Sequence, residues 1–135
     1  MAVVTPAKSS LVQKMRIVAT RQGADLVISA QVGESRGSYQ FGSLHIRAGL
    51  IFNFGVNPSF RQYGIGKRLF RAAINRPDLP PRLRLYAKAQ PDGMPQDKLE
   101  EFYQSFGFRP TGITTQYGKQ MHLDRSSTTV VASSV

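Results

Sequence analysis

The stretch Phe60-Arg61-Gln62-Tyr63-Gly64-Ile65-Gly66-Lys67-Arg68-Leu69-Phe70 holds two glycines and three cations between two aromatic residues. It falls where a strand candidate hands over to a helix candidate. The first amides of a helix point outward without intrahelical partners, and the helix dipole adds positive potential, so phosphate is a natural ligand there. Glycine lets the backbone approach such a ligand closely. A Walker loop fails, because Arg61 stands where its first glycine belongs and Arg68 where Ser or Thr must follow Gly66-Lys67. A dinucleotide fingerprint starting at Gly64 fails too, with Leu69 in place of its third glycine. What fits is Arg61-x-x-Gly64-x-Gly66 after a strand ending Gly55-Val56-Asn57-Pro58.

Charge points the same way. The 135 residues carry a formal net charge of +10, and no acid stands between Glu34 and Asp78. Arg36, Arg47, Arg61, Lys67, Arg68, Arg71 and Arg76 all lie inside that window, so this part of the chain should attract polyanions. Cysteine is absent, which excludes disulfides, thiolate metal sites and a cysteine nucleophile and is compatible with a reducing cytoplasm. Two histidines, His45 and His122, leave little material for a metal site, and none is expected. No apolar run approaches the roughly 20 residues of a membrane span, so a soluble, cytoplasmic protein without membrane partners is expected. A hydrophobic fraction of 41% suffices for one core.

The elements that must position these residues follow from periodicity. A first helix is expected from Ser10, where Ser10 and Gln13 form a capping box and Leu11, Met15 and Val18 share a stripe, ending near Arg21-Gln22-Gly23. The acid-free first 24 residues have a composition that a transit peptide shares, but they make sense as a folded helix. Strands are expected at 25–32, 38–48 and 50–56, the last apolar almost throughout, as in a strand covered on both faces. A helix from Gly64 to Asn75 buries Ile65, Leu69 and Ala73, and Arg76-Pro77 stops it. A strand at 82–89 precedes a helix with Leu99, Phe102, Tyr103 and Phe106 on one face and Gly107 as its cap, and two final strands flank Tyr117-Gly118. The polar Ser/Thr-rich tail, residues 126–135, is expected to be mobile unless something holds it, leaving residues 1–125 as a single domain.

On these residues the chain resembles the GNAT superfamily of acetyl-coenzyme A dependent N-acyltransferases, whose signature is Arg/Gln-x-x-Gly-x-Gly/Ala directly after the fourth strand. Residues 50–70 look like the family's strand, Val-x-Pro turn and helix start; Leu99 to Phe108 looks like its second signature, a helix ending Tyr-x-x-x-Gly-Phe; and Tyr117 to Leu123 is similar to its closing strand. The resemblance runs from about Asp25 to Asp124. It implies an α/β (α+β) fold, a mixed, mostly antiparallel sheet flanked by helices and splayed between the fourth and fifth strands.

The resemblance further implies that the amides of Gln62, Tyr63, Gly64, Ile65, Gly66 and Lys67 cradle the pyrophosphate of coenzyme A, with charge from Arg61 and Lys67. It implies a bulge in the fourth strand, for which Gly55 is the favoured residue type, and main-chain contacts from Phe54 and Val56 to the pantetheine arm. By the same resemblance the Val56 amide is expected to polarise the thioester carbonyl and Tyr103 to protonate the departing thiolate. Tyr103 also reads as an ordinary core aromatic, and the two glycines as the start of a tightly packed helix. The family's usual glutamate early in the fourth strand is Leu50 here, leaving His45, Glu34 or water as the base; the asparagine opening the family's fourth helix is Gln96. The family's first strand could come only from about Ala2-Val3-Val4, and the two helices that follow it look compressed into one. Acetyl transfer to an amine, of a small molecule or a protein, is therefore expected, and the acceptor is not inherited. A GNAT-like binding or assembly module, part of a viral or nucleoprotein particle, is the alternative, with oligomer or assembly partners; a nucleic-acid partner remains open without a motif to support it.

Overall fold

The computed structural model describes residues 8–33, 39–91 and 93–125. Helix α1 (Lys8–Gln13) precedes four strands, β1 (Arg16–Gln22), β2 (Asp25–Val32), β3 (Tyr39–Arg47) and β4 (Leu50–Val56). A 3₁₀ turn (Pro58–Phe60) leads into α2 (Ile65–Ile74), then come β5 (Arg82–Ala87), α3 (Gln96–Gln104), β6 (Arg109–Thr115) and β7 (Gly118–Asp124). The strands form a seven-stranded sheet in the order β1-β2-β3-β4-β5-β7-β6. Antiparallel pairing prevails, and the parallel pairing of β4 with β5 is confined to Leu50↔Arg84. The mixed sheet flanked by helices expected from the sequence is the observed fold.

The first helix is where sequence and structure part. It ends at Gln13, and Ser10 lies inside it with its carbonyl accepting from the Lys14 amide, so the expected Ser10 capping box does not form at a helix start. Residues 16–22 are a strand instead, paired in full register with β2 across the two-residue turn Gly23-Ala24. The sequence Arg-Ile-Val-Ala-Thr-Arg-Gln is rich in β-branched residues, and pairing overrides a weak helical stripe. Gly23 has φ +63°, the backbone such tight hairpins require. The first strand of the described sheet therefore comes from Arg16–Gln22, and a hairpin stands where two helices were expected in compressed form. Residues 1–7, with Ala2-Val3-Val4, and the Ser/Thr-rich tail lie outside the described residues.

The strand covered on both faces is β2, where Leu26 to Ala30 are all buried; in β4 only Ile51 is. The apolar run 50–56 is thus not a fully buried strand, as had been expected. Its break is Asn53, a non-glycine residue at φ +50°. Asparagine tolerates the left-handed region better than any branched residue, so the irregularity in β4 falls at Asn53 and not at Gly55, whose φ is not positive. Glycine is needed one strand away: a Cβ on Gly42 of β3 would stand 2.7 Å from the Gly55 carbonyl oxygen.

The chain forms two compact units, one running to His45 and resuming at Asn53–Asn75, the other comprising Ile46–Phe52 and Arg76 onward. The boundary inside β4 falls at Asn53. The first unit's core is built on β2, with Phe41, Leu44, Phe60, Ile65, Leu69 and Phe70 buried. In the second, Leu83, Leu85 and Ala87 of β5 alternate with exposed or half-buried Arg82, Arg84 and Tyr86, and their apolar face is buried with Tyr103, Phe108 and Met121.

Candidate active site

In the first unit the loop between β4 and α2 is held at both aromatic ends. The Phe60 ring is 4% exposed and meets the Phe41 ring edge-on at 4.6 Å; Phe70 is fully buried and meets Phe54 edge-on at 4.8 Å. Burying one such ring contributes about 1.5–3 kcal/mol, enough to hold the short segment between them. Asn57 stiffens the entry. Its side-chain oxygen accepts from the Ser59 amide at 3.0 Å, its Nδ2 donates to the Tyr39 hydroxyl at 2.6 Å, and its own amide donates to the Phe41 carbonyl at 2.6 Å. Sequence reasoning did not single out Asn57, although Asn before Pro is an Asx-turn signal.

Gly64 caps α2 in the left-handed conformation (φ +73°, ψ +19°), without any side-chain cap. A Cβ there would meet nothing within 4 Å, so glycine serves the backbone angle and leaves open space beside the helix start. Gly64's carbonyl accepts from the Arg68 amide, and by helix geometry the amides of Ile65, Gly66 and Lys67 have no partner within α2. Arg61, Gln62, Tyr63, Gly64 and Lys67 are exposed, Gly66 is half-buried, and Ile65 is a core residue whose amide alone faces this end. The Arg61 guanidinium reaches back, its Nε donating to the Val56 carbonyl at 3.3 Å. Phe54 turns its ring to Phe70. All nine cofactor-binding candidates thus belong to the first unit. His45, half-buried on β3, is in that unit as well, and Glu34 lies outside the described residues.

Tyr103 belongs to the second unit. It is 7% exposed, on the buried face of α3, edge-on to Phe102 at 5.6 Å and to Phe108 at 6.4 Å. Burial pushes its phenol up to about 12, since the charged form would lose its hydration. Nearby, Gln96 opens α3 and acts as a piece of backbone. Its Oε1 accepts from the Ala89 amide at 2.9 Å and its Nε2 donates to the Ala87 carbonyl at 3.0 Å, continuing the hydrogen bonding of β5 past its end. The same Nε2 donates to Glu100 at 2.9 Å, and Lys119 Nζ donates to the other Glu100 oxygen at 2.8 Å. Lys119 first, then Gln96, hold the Glu100 carboxyl below its ordinary value. This network was not foreseen in the sequence, since its members come from β5, α3 and β7.

A family model described as the acetyltransferase (GNAT) domain matches residues 15–110, which contain both the β4-α2 loop and Tyr103. The chain belongs to that family, a class of acyl-transferring domains. No curated protein and no solved structure matches it.

Proposed function

We propose that the protein is an N-acyltransferase that moves an acetyl group from acetyl-coenzyme A directly to an amine, without an acyl-enzyme. The observation that carries this reading is the start of α2, uncapped, open beside Gly64 and flanked by Arg61 and Lys67. Those residues fit a pyrophosphate: exposed amides, a dipole end and two cations form one anion-binding surface. When bound, acetyl-coenzyme A supplies an activated thioester. The amides from Gln62 to Lys67 would hold its phosphates, with charge from Arg61 and Lys67. The main chain of Phe54 and Val56 would align its arm, and the Val56 amide would donate to the carbonyl oxygen as charge develops. The protein's work is then placement, setting an amine against the thioester in attack geometry.

Tyr103 is proposed as the donor to the departing sulfur. With a pKa of about 12 it holds its proton at every physiological pH. Full transfer to a thiolate of ordinary pKa near ~8.5 would be uphill by about 3.5 units, near 5 kcal/mol, whereas donating a hydrogen bond to the developing charge avoids that cost. Tyr103 Oη therefore acts more as a hydrogen-bond donor than as a complete acid. No carboxylate stands on β4 to take the amine's proton. That gap favours a second reading, a GNAT-like domain that binds or assembles without turnover.

The test is release of free thiol from acetyl-coenzyme A with a panel of small amines, peptides and aminoglycosides. Turnover with any acceptor supports the enzyme. Cofactor binding with no turnover across the panel moves the reading to the non-catalytic module, and absence of cofactor binding by folded protein removes the enzyme reading and leaves the assembly module.

A further inference from the structure

The register of the second unit assembles a basic face that no single segment of sequence displays. Arg84 of β5, His122 of β7 and Arg109 of β6 are directly opposed across three strands, and Arg82 is opposed to Asp124 in the next row. Opposed residues share a face, and residues two apart along a strand do too, so Arg82, Arg84, Tyr86, His122, Gln120 and Arg109 all project to one side. The other side of β5 is the buried one, with Leu83, Leu85 and Ala87. Arg82, Arg84 and Arg109 are exposed, and the three strands contain one carboxylate, Asp124, which stands 3.6 Å from Arg82 with both side chains more than half exposed. A cleft of about 310 Å³ is lined there by Arg82, Gly107, Arg109, His122, Leu123 and Asp124.

The far end of this strip is aromatic. Tyr117, in the β6-β7 turn, is 65% exposed and its ring lies 6.2 Å from that of Tyr86. The Tyr86 hydroxyl accepts from Gln120 Nε2 at 3.2 Å, and Thr111 donates to Gln120 Oε1 at 2.9 Å, so the middle row is fixed by hydrogen bonds across the strands. Lys88 adds a cation at this end, its Nζ donating to the Gln116 carbonyl at 3.0 Å.

We propose that this face of β5, β7 and β6 binds single-stranded nucleic acid, independently of the acyl-transfer site. Guanidinium groups along the strip match the phosphates of a polyanion, and the exposed Tyr117 ring beside Tyr86 offers a stacking platform. Only unpaired bases can use that platform, which favours a single strand over a duplex. The face needs no motif in sequence because its cations, Arg82 and Arg84 of β5, Lys88 just beyond it and Arg109 of β6, are spread between positions 82 and 109, outside the acid-free window.

The test is fluorescence anisotropy of the full chain with labelled oligo(dT), titrated from about 50 to 200 mM salt, over which polyanion affinity falls steeply. Arg82→Gln with Arg109→Gln should weaken binding by roughly tenfold or more and flatten the logarithmic salt slope by about 0.7 per arginine removed. Tyr117→Ala should weaken it roughly 5- to 100-fold through lost stacking. Unchanged thermal melting of each variant shows that the fold is kept, and the Arg→Lys pair, which preserves charge, should recover most of the affinity. The proposal fails if oligo(dT) does not bind, if Lys67→Gln with Arg68→Gln removes the binding in place of the face variants, or if saturating acetyl-coenzyme A competes with it. It also fails if polyglutamate competes equally and Tyr117→Ala has no effect, because the face would then be a docking surface for an acidic protein.

Discussion

Tyr103 carries two separable properties, a ring that fills the apolar side of α3 and a hydroxyl that a hydrophobic environment keeps protonated. Tyr103→Phe retains the first and deletes the second. Turnover should fall by about 10- to 10³-fold in kcat with little change in the cofactor KM, measured by thiol release; unchanged kcat would assign the residue to the core. The same burial makes an alkaline prediction. A folded-state pKa near 12 against about 10 unfolded means that the native chain holds a proton which the unfolded chain releases, so stability is full below pH 10 and declines from there to pH 12. By pH 11 the wild type should have lost about 1 kcal/mol relative to Tyr103→Phe, read from urea midpoints at pH 9 and 11. Equal alkaline losses in the two proteins would mean that the phenol titrates normally.

At the scale of the element, single residues hold the local geometry of helix and strand, and each can be broken singly. Gly66→Asp puts a carboxylate among the first amides of α2, at a position whose backbone is already helical. Acetyl-coenzyme A should no longer raise the melting temperature, while far-UV circular dichroism stays that of the wild type; retained binding would place the phosphates elsewhere. In β4 the backbone turns left-handed at Asn53, which a branched side chain resists. Asn53→Val should cost about 1–3 kcal/mol in a denaturant titration and Asn53→Gly should not destabilise, whereas the reverse order would mean that the irregularity contributes nothing to the strand. In the middle of α3, the Glu100 carboxyl is held below its ordinary value by Lys119 and then Gln96. This depressed carboxyl contributes stability above the ordinary carboxylate range, lost as pH falls through the folded-state value. Glu100→Gln should therefore show a smaller loss of stability between neutral pH and pH 3 than the wild type, measured by thermal melting.

At the scale of the whole molecule a net charge of +10 includes the cations of two surfaces proposed to bind anions, the loop at α2 and the open strip on β5, β7 and β6. They should differ in salt response. A cofactor held by amides and a fixed cradle stabilises the native state by mass action, about 2.7 kcal/mol at one hundred times Kd, which is a rise of several degrees in Tm. Raising salt should diminish that shift far less than it diminishes binding of a long polyanion, since only the latter releases many counterions. A thermal shift by acetyl-coenzyme A that vanishes as steeply with salt as oligonucleotide binding would mean that the loop attracts the nucleotide only as a charge. No helix of the described residues is long and apolar enough to cross a membrane.

Local chemistry made much of this protein legible in its sequence. The Arg61-x-x-Gly64-x-Gly66 pattern, the helix stripe of Ile65, Leu69 and Ala73, the alternation of β5 and the pairing of Tyr103 with Phe102 are properties of neighbouring residues, and the structure shows helices and strands there. What failed was decided at a distance. Residues 16–22 carry a weak helical stripe, and only the presence of β2 as a pairing partner makes them a strand. Residues 50–56 look apolar almost throughout, yet in the structure only Ile51 is buried and the backbone turns left-handed at Asn53. Gln96 reads as a departure from a family pattern until Ala87 and Ala89 come within hydrogen-bond reach of its amide. The Arg84, His122 and Arg109 row is the extreme case. Register, which depends on all three strands at once, decides which residues share a face, and no window of sequence contains it.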